Sequence, residues 1–176
     1  SSAKAGDILV LATGEYSESS IKPTVSLTIR AAEGAKPVIK LSSRFEVKAD
    51  FTLEGVNLQS TGEAVRMVTG SSLYNVVVRS CTLSGCPSYF IRAYDSSGES
   101  PYINSLTVDN CLFLMGGSEA ARAIAATTAL KQINSITVSN STFDGGKLGT
   151  GRMIYVHPGS GIEDPKALQS TVEIDH

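Results

Sequence analysis

The stretch LTVDNCLFLMGGSEAARAI, Leu106 to Ile124, decides how the chain is read, because it repeats. Thirty residues earlier it lies on VVVRSCTLSGCPSYFIRAY, Val76 to Tyr94, and thirty later on ITVSNSTFDGGKLGTGRMI, Ile136 to Ile154. A fourth copy, FTLEGVNLQSTGEAVRMV from Phe51 to Val68, fits with one residue fewer. Each copy opens on an apolar-x-apolar triplet, turns on a small residue and strikes a second apolar pair. Each then passes a Gly-bearing loop and reaches one arginine: Arg66, Arg92, Arg122 or Arg152. A fixed period of 25 to 30 residues marks a repeat architecture in which each unit buries its apolar face against the next.

Each period holds three short strand candidates. In the third copy they are Ser105 to Val108, Cys111 to Leu114 and Ala121 to Ala125. Thr, Val, Ile and Phe dominate these runs and suit a pleated, half-buried surface. Ala120 to Ala129 comes nearest to a helix, yet its counterparts VRMV, FIRAY and GRMIYV are β-like, so it too reads as strand. The pattern therefore predicts a solenoid of parallel strands about 4.8 Å apart, with like residues stacked over like. Gly55, Ser80, Asn110 and Asn140 fall in one turn column, where Asn tolerates left-handed backbone and can bond along the stack. Leu58, Leu83, Phe113 and Phe143 form an apolar column expected inside. Cys81 and Cys111 share a column with Val56 and Ser141 and read as small buried hydrophobes, and Cys86 reads as a lone thiol in a Gly-Cys-Pro turn.

Towards the N-terminus the same grammar continues. Ile8, Val10 and Ala12 share one face and Gly14 marks a turn. Val25, Leu27 and Ile29 alternate, Glu33-Gly34 turns the chain, and Pro37 leads into Val38 and Ile39. Alternation then resumes through Phe45, Val47, Phe51 and Leu53. At the other end Val172 to His176 matches Ile136 to Asn140, which predicts a further coil cut short and a longer native chain. One domain over 1–176 is expected, with N-terminal coils in 1–50, regular coils in 51–157 and the start of another in 158–176.

These features are similar to the right-handed parallel β-helix of pectate-lyase-like proteins. The resemblance rests on GDILVLATGEY, LTIRAAEGAKPVI, FTLEGVNL and the repeats of the SITVSNSTF type. The branch most alike is that of chondroitinase B-type and alginate lyases, with the uncharacterised β-helix domains of secreted bacterial glycan-utilisation proteins. It implies an all-β, right-handed, single-stranded parallel β-helix of about six coils, truncated at its C-terminal end. It also implies a secreted, periplasmic or cell-surface setting.

Composition narrows the function. The 176 residues are 41% apolar and 18% charged, with a formal net charge of −2, against the basic footprint of a nucleic-acid binder. No apolar run approaches the roughly 20 residues of a membrane helix. On this slightly acidic chain the arginine column is a local feature. Two guanidiniums about 5 Å apart repel by roughly 0.8 kcal/mol in bulk water, so a ladder of four calls for anions between its rungs. Guanidinium forks match carboxylates and sulfates, which an acidic polysaccharide supplies in series. Arg66, Arg92, Arg122, Arg152 and Tyr94 are thus the candidate binding residues, with Tyr94, Ile124 and Ile154 expected as a strip beside them. The competing reading is internal pairing, through Glu63, Glu119 or Asp95, each three residues from an arginine. It leads to a structural or adhesive solenoid without ligand.

A polysaccharide lyase acting by β-elimination on uronates is the catalytic alternative, with Arg122, Arg152, Tyr155 and His157 as candidates for the chemistry. The resemblance places a calcium site at GSEAARAI, but that stretch offers Glu119 alone and calcium wants several carboxylates. The lysine expected just downstream is missing, with Lys131 several residues later. No cofactor or metal is therefore expected. Asp109 and Asp144 fall in different registers and do not form a hydrolase pair. Tyr74, Tyr89 and Tyr102 read as loop residues able to stack on sugars or on the coil wall.

Overall fold

The computed structural model describes residues 3–94, 101–115, 121–126, 132–145, 152–156 and 171–175. Among them there is no helix, and every strand pairing is parallel. One sheet stacks β1 (Asp7–Leu11), β3 (Leu27–Ala31), β5 (Phe51–Glu54), β8 (Asn75–Arg79), β11 (Tyr102–Asp109), β14 (Gln132–Ser139) and β17 (Thr171–Asp175) in that order. The second sheet has two arms joined by the long β4 (Pro37–Val47), which β2 (Gly14–Ile21) also pairs. One arm runs from β4 through β6 (Asn57–Ser60), β9 (Thr82–Ser84) and β12 (Leu112–Leu114) to β15 (Thr142–Asp144). The other runs through β7 (Val65–Met67), β10 (Tyr89–Ala93) and β13 (Arg122–Ala126) to β16 (Arg152–Val156). Three ladders of stacked parallel strands, visited in rotation by the chain, are consistent with a β-solenoid.

Register carries the repeat into three dimensions. Phe51 lies on Val76, Val76 on Leu106, Leu106 on Ile136, and Ile136 on Val172. Alternation decides which side chains go in: along β5 the pattern puts Phe51 and Leu53 inside, and along β8 Val76 and Val78. The column Leu58, Leu83, Phe113 is fully buried, and Phe143 closes it by stacking on Phe113 with centroids 4.8 Å apart. Phe90 meets Phe113 edge-on at 5.8 Å, so the aromatic core joins the two arms of the second sheet.

The turn column behaves as its composition predicts. Ser80, Asn110 and Asn140 have φ of 53°, 50° and 49°, and Gly55 has 69°. Asn110 Nδ2 donates to Ser80 Oγ at 3.1 Å, which offsets the strain of left-handed backbone in a non-glycine residue. Asn140 Nδ2 and Ser139 Oγ both donate to Asp109 Oδ1, at 3.0 and 2.7 Å. A second amide ladder escapes the sequence reading. Asn75 donates to Asp50, Asn104 to Asn75 and Asn134 to Asn104, with N···O distances of 2.7 to 3.1 Å.

Some expectations shift. Ile8 and Val10 do share a face, but it is exposed, while Leu11 on the other parity is buried. Leu9, stacked on Ile29, is exposed as well because β1 lies at the end of its sheet. Gly14 begins a strand, and the left-handed turns fall at Gly6 and Gly34. Tyr74 is no sugar platform: it is buried, with its hydroxyl donating to the Val68 carbonyl at 2.6 Å. Tyr102 opens β11 and is exposed. All three cysteines are free and buried. Burial pushes the Cys86 thiol up to about 12, and the Cys81 thiol is raised first by its hydrogen bond with Cys111 and then by burial, so neither is a ready nucleophile.

Truncating Phe113 removes the element shared by its contacts with Leu83, Phe90 and Phe143. Phe113→Ala is expected to cost about 3–5 kcal/mol in denaturant unfolding. The Asp109 carboxyl is held below its ordinary value by hydrogen bonds from Asn140 and Ser139 and by the Arg79 charge. A carboxylate whose pKa is lowered on folding stabilises fully above its unfolded value, and that stabilisation is lost as pH falls through the folded value. Stability measured downward from pH 5 is expected to fall more steeply in the wild type than in Asp109→Asn.

Candidate functional site

The outer surface of β7, β10, β13 and β16 gathers the four arginines. On β7 the alternation is strict, with Val65 and Met67 buried and Arg66 between them facing out. On β10 Phe90 and Ile91 are both buried, so alternation breaks once and both Tyr89 and Arg92 emerge outside. Arg66 lies directly on Arg92, and Arg122 directly on Arg152.

Between these pairs the expected column is broken. Ile91 lies on Ile124, Arg92 on Ala125, and Arg122 on Tyr89. The cause is loop length. Leu83 lies on Phe113, thirty residues on, whereas Ile91 lies on a residue thirty-three on. The link from β12 to β13 is three residues longer than that from β9 to β10, and the link onward to β14 is three shorter. The overall period survives, and the strand between the two links slides. Three residues of slip move Arg122 about 10 Å along the strand from Arg92. That replaces a direct cation–cation contact with a cation–tyrosine one.

Tyrosines, and one carboxylate, fill the spaces that the sequence reading assigned to external anions. Arg92 is sandwiched between Tyr94 and Tyr89, its guanidinium carbon 3.9 and 4.1 Å from their ring centroids. Arg66 sits 5.4 Å from Tyr94. Arg122 lies between Tyr89 at 5.3 Å and Tyr155 at 5.0 Å, and its Nη1 donates to the Tyr89 hydroxyl at 2.9 Å. Arg152 sits 4.5 Å from Tyr155. Cation–π contacts of this kind contribute about 0.5–2 kcal/mol each, more as water is excluded. Arg92 Nε and Arg122 Nε, buried with no hydrogen-bond partner among the described residues, lie in these sandwiches.

The carboxylate is Glu63, whose side chain is 9% exposed. Its two oxygens take Arg66 through Nε and Nη2, and Oε1 also takes Arg92 Nη1 at 3.2 Å. Arg44 Nη1 approaches Oε2 at 3.6 Å. The loop carrying Glu63 is pinned close to β4. A Cβ at Gly62 would lie 2.3 Å from the Ser43 carbonyl oxygen, so only glycine passes there. Ser60 Oγ lies 2.8 Å from that carbonyl and 2.9 Å from the carbonyl of Glu63, and accepts from the Gly62 N–H. Arg44 and Lys22 both reach Glu46, each at 3.3 Å.

The face is thus divided. At the β4–β7–β10 end, Glu63 and Glu46 offset half of the charge of Lys22, Arg44, Arg66 and Arg92 and contact all four. At the β13–β16 end, Arg122 and Arg152 meet tyrosine faces, and among the described residues no carboxylate pairs with them. Tyr94 joins the arginines as expected. Ile124 does not: it is buried in the core, because the slip aligns it with inward-facing Ile91. Ile154 packs against the core as well. Tyr89 was read as a loop residue and is a strand residue of the ladder. Its signal in the sequence was its place three residues before Arg92, mirrored by Tyr155 three after Arg152. Arg44 and Glu46 were also missed, although Phe45 to Val47 aligns with Val65 to Met67.

His157, Glu119, Asp95 and Lys131 lie outside the described residues. Among the described residues no three His, Cys, Asp or Glu side chains cluster as metal ligands. No helix among them is long and apolar enough to cross a membrane. Comparison with protein-family models, curated proteins and solved structures returned no match.

A buried carboxylate bridging three guanidiniums is costly to delete, since truncation strands the cations at a desolvated site. Glu63→Ala is expected to lower stability by about 3–5 kcal/mol, read by denaturant or thermal unfolding.

Proposed function

We propose that this chain is a carbohydrate-associated protein of the cell exterior or periplasm. In this reading it is a right-handed parallel β-helix of the pectate-lyase-like kind, about six coils long, that binds an acidic polysaccharide on its arginine face. The ligand sits at the Arg122–Tyr155–Arg152 end.

One observation carries the reading. Arg122 and Arg152 are in register on adjacent strands, where side chains stack about 4.8 Å apart, and the described residues provide them with no carboxylate. Their near-equivalents Arg66 and Arg92 hold Glu63. Two adjacent guanidiniums beside an aromatic ring suit a ligand that alternates anionic groups with apolar sugar faces.

The test is retention on immobilised polygalacturonate, alginate and chondroitin sulfate, with neutral dextran as control. The wild type is expected to be retained on at least one acidic polymer and eluted by salt. Arg122→Ala/Arg152→Ala is expected to lose about tenfold or more in affinity, with a shallower salt dependence because fewer counterions are displaced. Equal retention of wild type and double variant would sink the proposal. Absorbance of unsaturated product on the same polymers tests the β-eliminating alternative, and none is expected to appear.

A further inference from the structure

We infer that Glu63 is a built-in competitor. It occupies a second anion clamp, Arg66–Arg92, and so confines external ligands to the Arg122–Arg152 end of the same face. The inference rests on the acidic-glycan reading of that end and concerns what limits its extent.

The two arginine pairs are built alike. In each, two guanidiniums stand in register on neighbouring strands of one ladder, Arg66 on Arg92 and Arg122 on Arg152. In each, tyrosine rings flank the cations: Tyr94 and Tyr89 at the first pair, Tyr155 and Tyr89 at the second. The first pair is occupied. Oε2 of Glu63 faces Arg66 and Oε1 reaches Arg92, so one carboxylate bridges both rungs. Glu63 therefore displays, inside the molecule, how a carboxylate sits on two stacked guanidiniums of this wall.

Its placement is not that of a surface ion pair. Surface pairs form between mobile side chains and are largely dissociable. Glu63 is more than nine-tenths buried, and its loop is held by Ser60 and by the close passage of Gly62 over Ser43. A tethered carboxylate has a high effective concentration at its site and excludes a free one of ordinary affinity. Arg44, which also reaches Glu46, adds a third guanidinium 3.6 Å from Glu63 Oε2. The apparent length of the binding face is consequently set by one acidic residue.

The probe is Glu63→Ala, which vacates the clamp, compared with Glu63→Gln, whose neutral side chain still fills it. With Glu63→Ala, retention on polygalacturonate is expected to strengthen at least about threefold, and the salt dependence to steepen by about one counterion per freed guanidinium. Sodium formate is expected to raise the melting temperature of Glu63→Ala more than that of wild type, since only the variant offers the vacated clamp in addition to Arg122–Arg152. Glu63→Gln is expected to show neither gain. A folded Glu63→Ala protein with wild-type salt dependence and no greater response to formate than the wild type overturns the inference. Should Glu63→Ala fail to fold alone, formate restoring its fold supports the inference and failure to restore it refutes it. Retention of the wild type with no change in Glu63→Ala removes this inference and leaves the Arg122–Arg152 reading standing. Retention of Glu63→Ala alone shows Glu63 blocking its clamp but no ligand at Arg122–Arg152 to confine, which removes that reading and the confinement with it. Retention of neither protein also removes both.

Discussion

Parallel in-register stacking is the constraint on which everything else in this molecule depends. Each strand sits about 4.8 Å above its counterpart, so each side chain meets the residue one repeat away. For apolar positions this is favourable without further design, and Leu58, Leu83, Phe113 and Phe143 fill a continuous column. For amides it is also favourable, because Asn carries both donor and acceptor and can pass a hydrogen bond up the stack. The chain uses this along Asp50, Asn75, Asn104 and Asn134. For charges it is unfavourable, because identity of position means identity of sign.

The arginine wall shows three physical answers to that problem. Glu63 supplies a carboxylate from a neighbouring loop and bridges two rungs at once. Tyr94, Tyr89 and Tyr155 offer ring faces whose quadrupoles attract cations without adding net charge. The third answer is to break register. A three-residue exchange between two loops slides β13 along β10, so that Arg122 meets Tyr89 and Arg92 meets Ala125. Arg122 and Arg152 return to register with each other, and among the described residues no carboxylate pairs with them.

Charge and stability are therefore coupled along one surface. The buried Glu63 network holds β4, β7 and β10 together and gives each arginine there a carboxylate contact. The β13–β16 end holds less buried charge and presents more of it outward, with Arg152 exposed. Lattices of this kind can grade from structural to binding roles over a few strands, because each layer interacts chiefly with its neighbours.

The amino-acid sequence by itself determined the parallel stacked architecture, the three strands per repeat, the inward columns and the left-handed turn column. These follow from local alternation and from the period, both of which survive as long as total repeat length is kept. It also located all four arginines and named Glu63 as a partner for Arg66. What only the tertiary structure decided was the register of β13 on β10, the burial of Ile124, the role of Tyr89 and the sharing of Glu63 between Arg66 and Arg92. Two loops that gain and lose three residues leave the thirty-residue period intact, so sliding one copy over another cannot detect the slip. A one-dimensional period records how far apart layers are along the chain, while pairing within a wall is settled by which side chains can bear to touch.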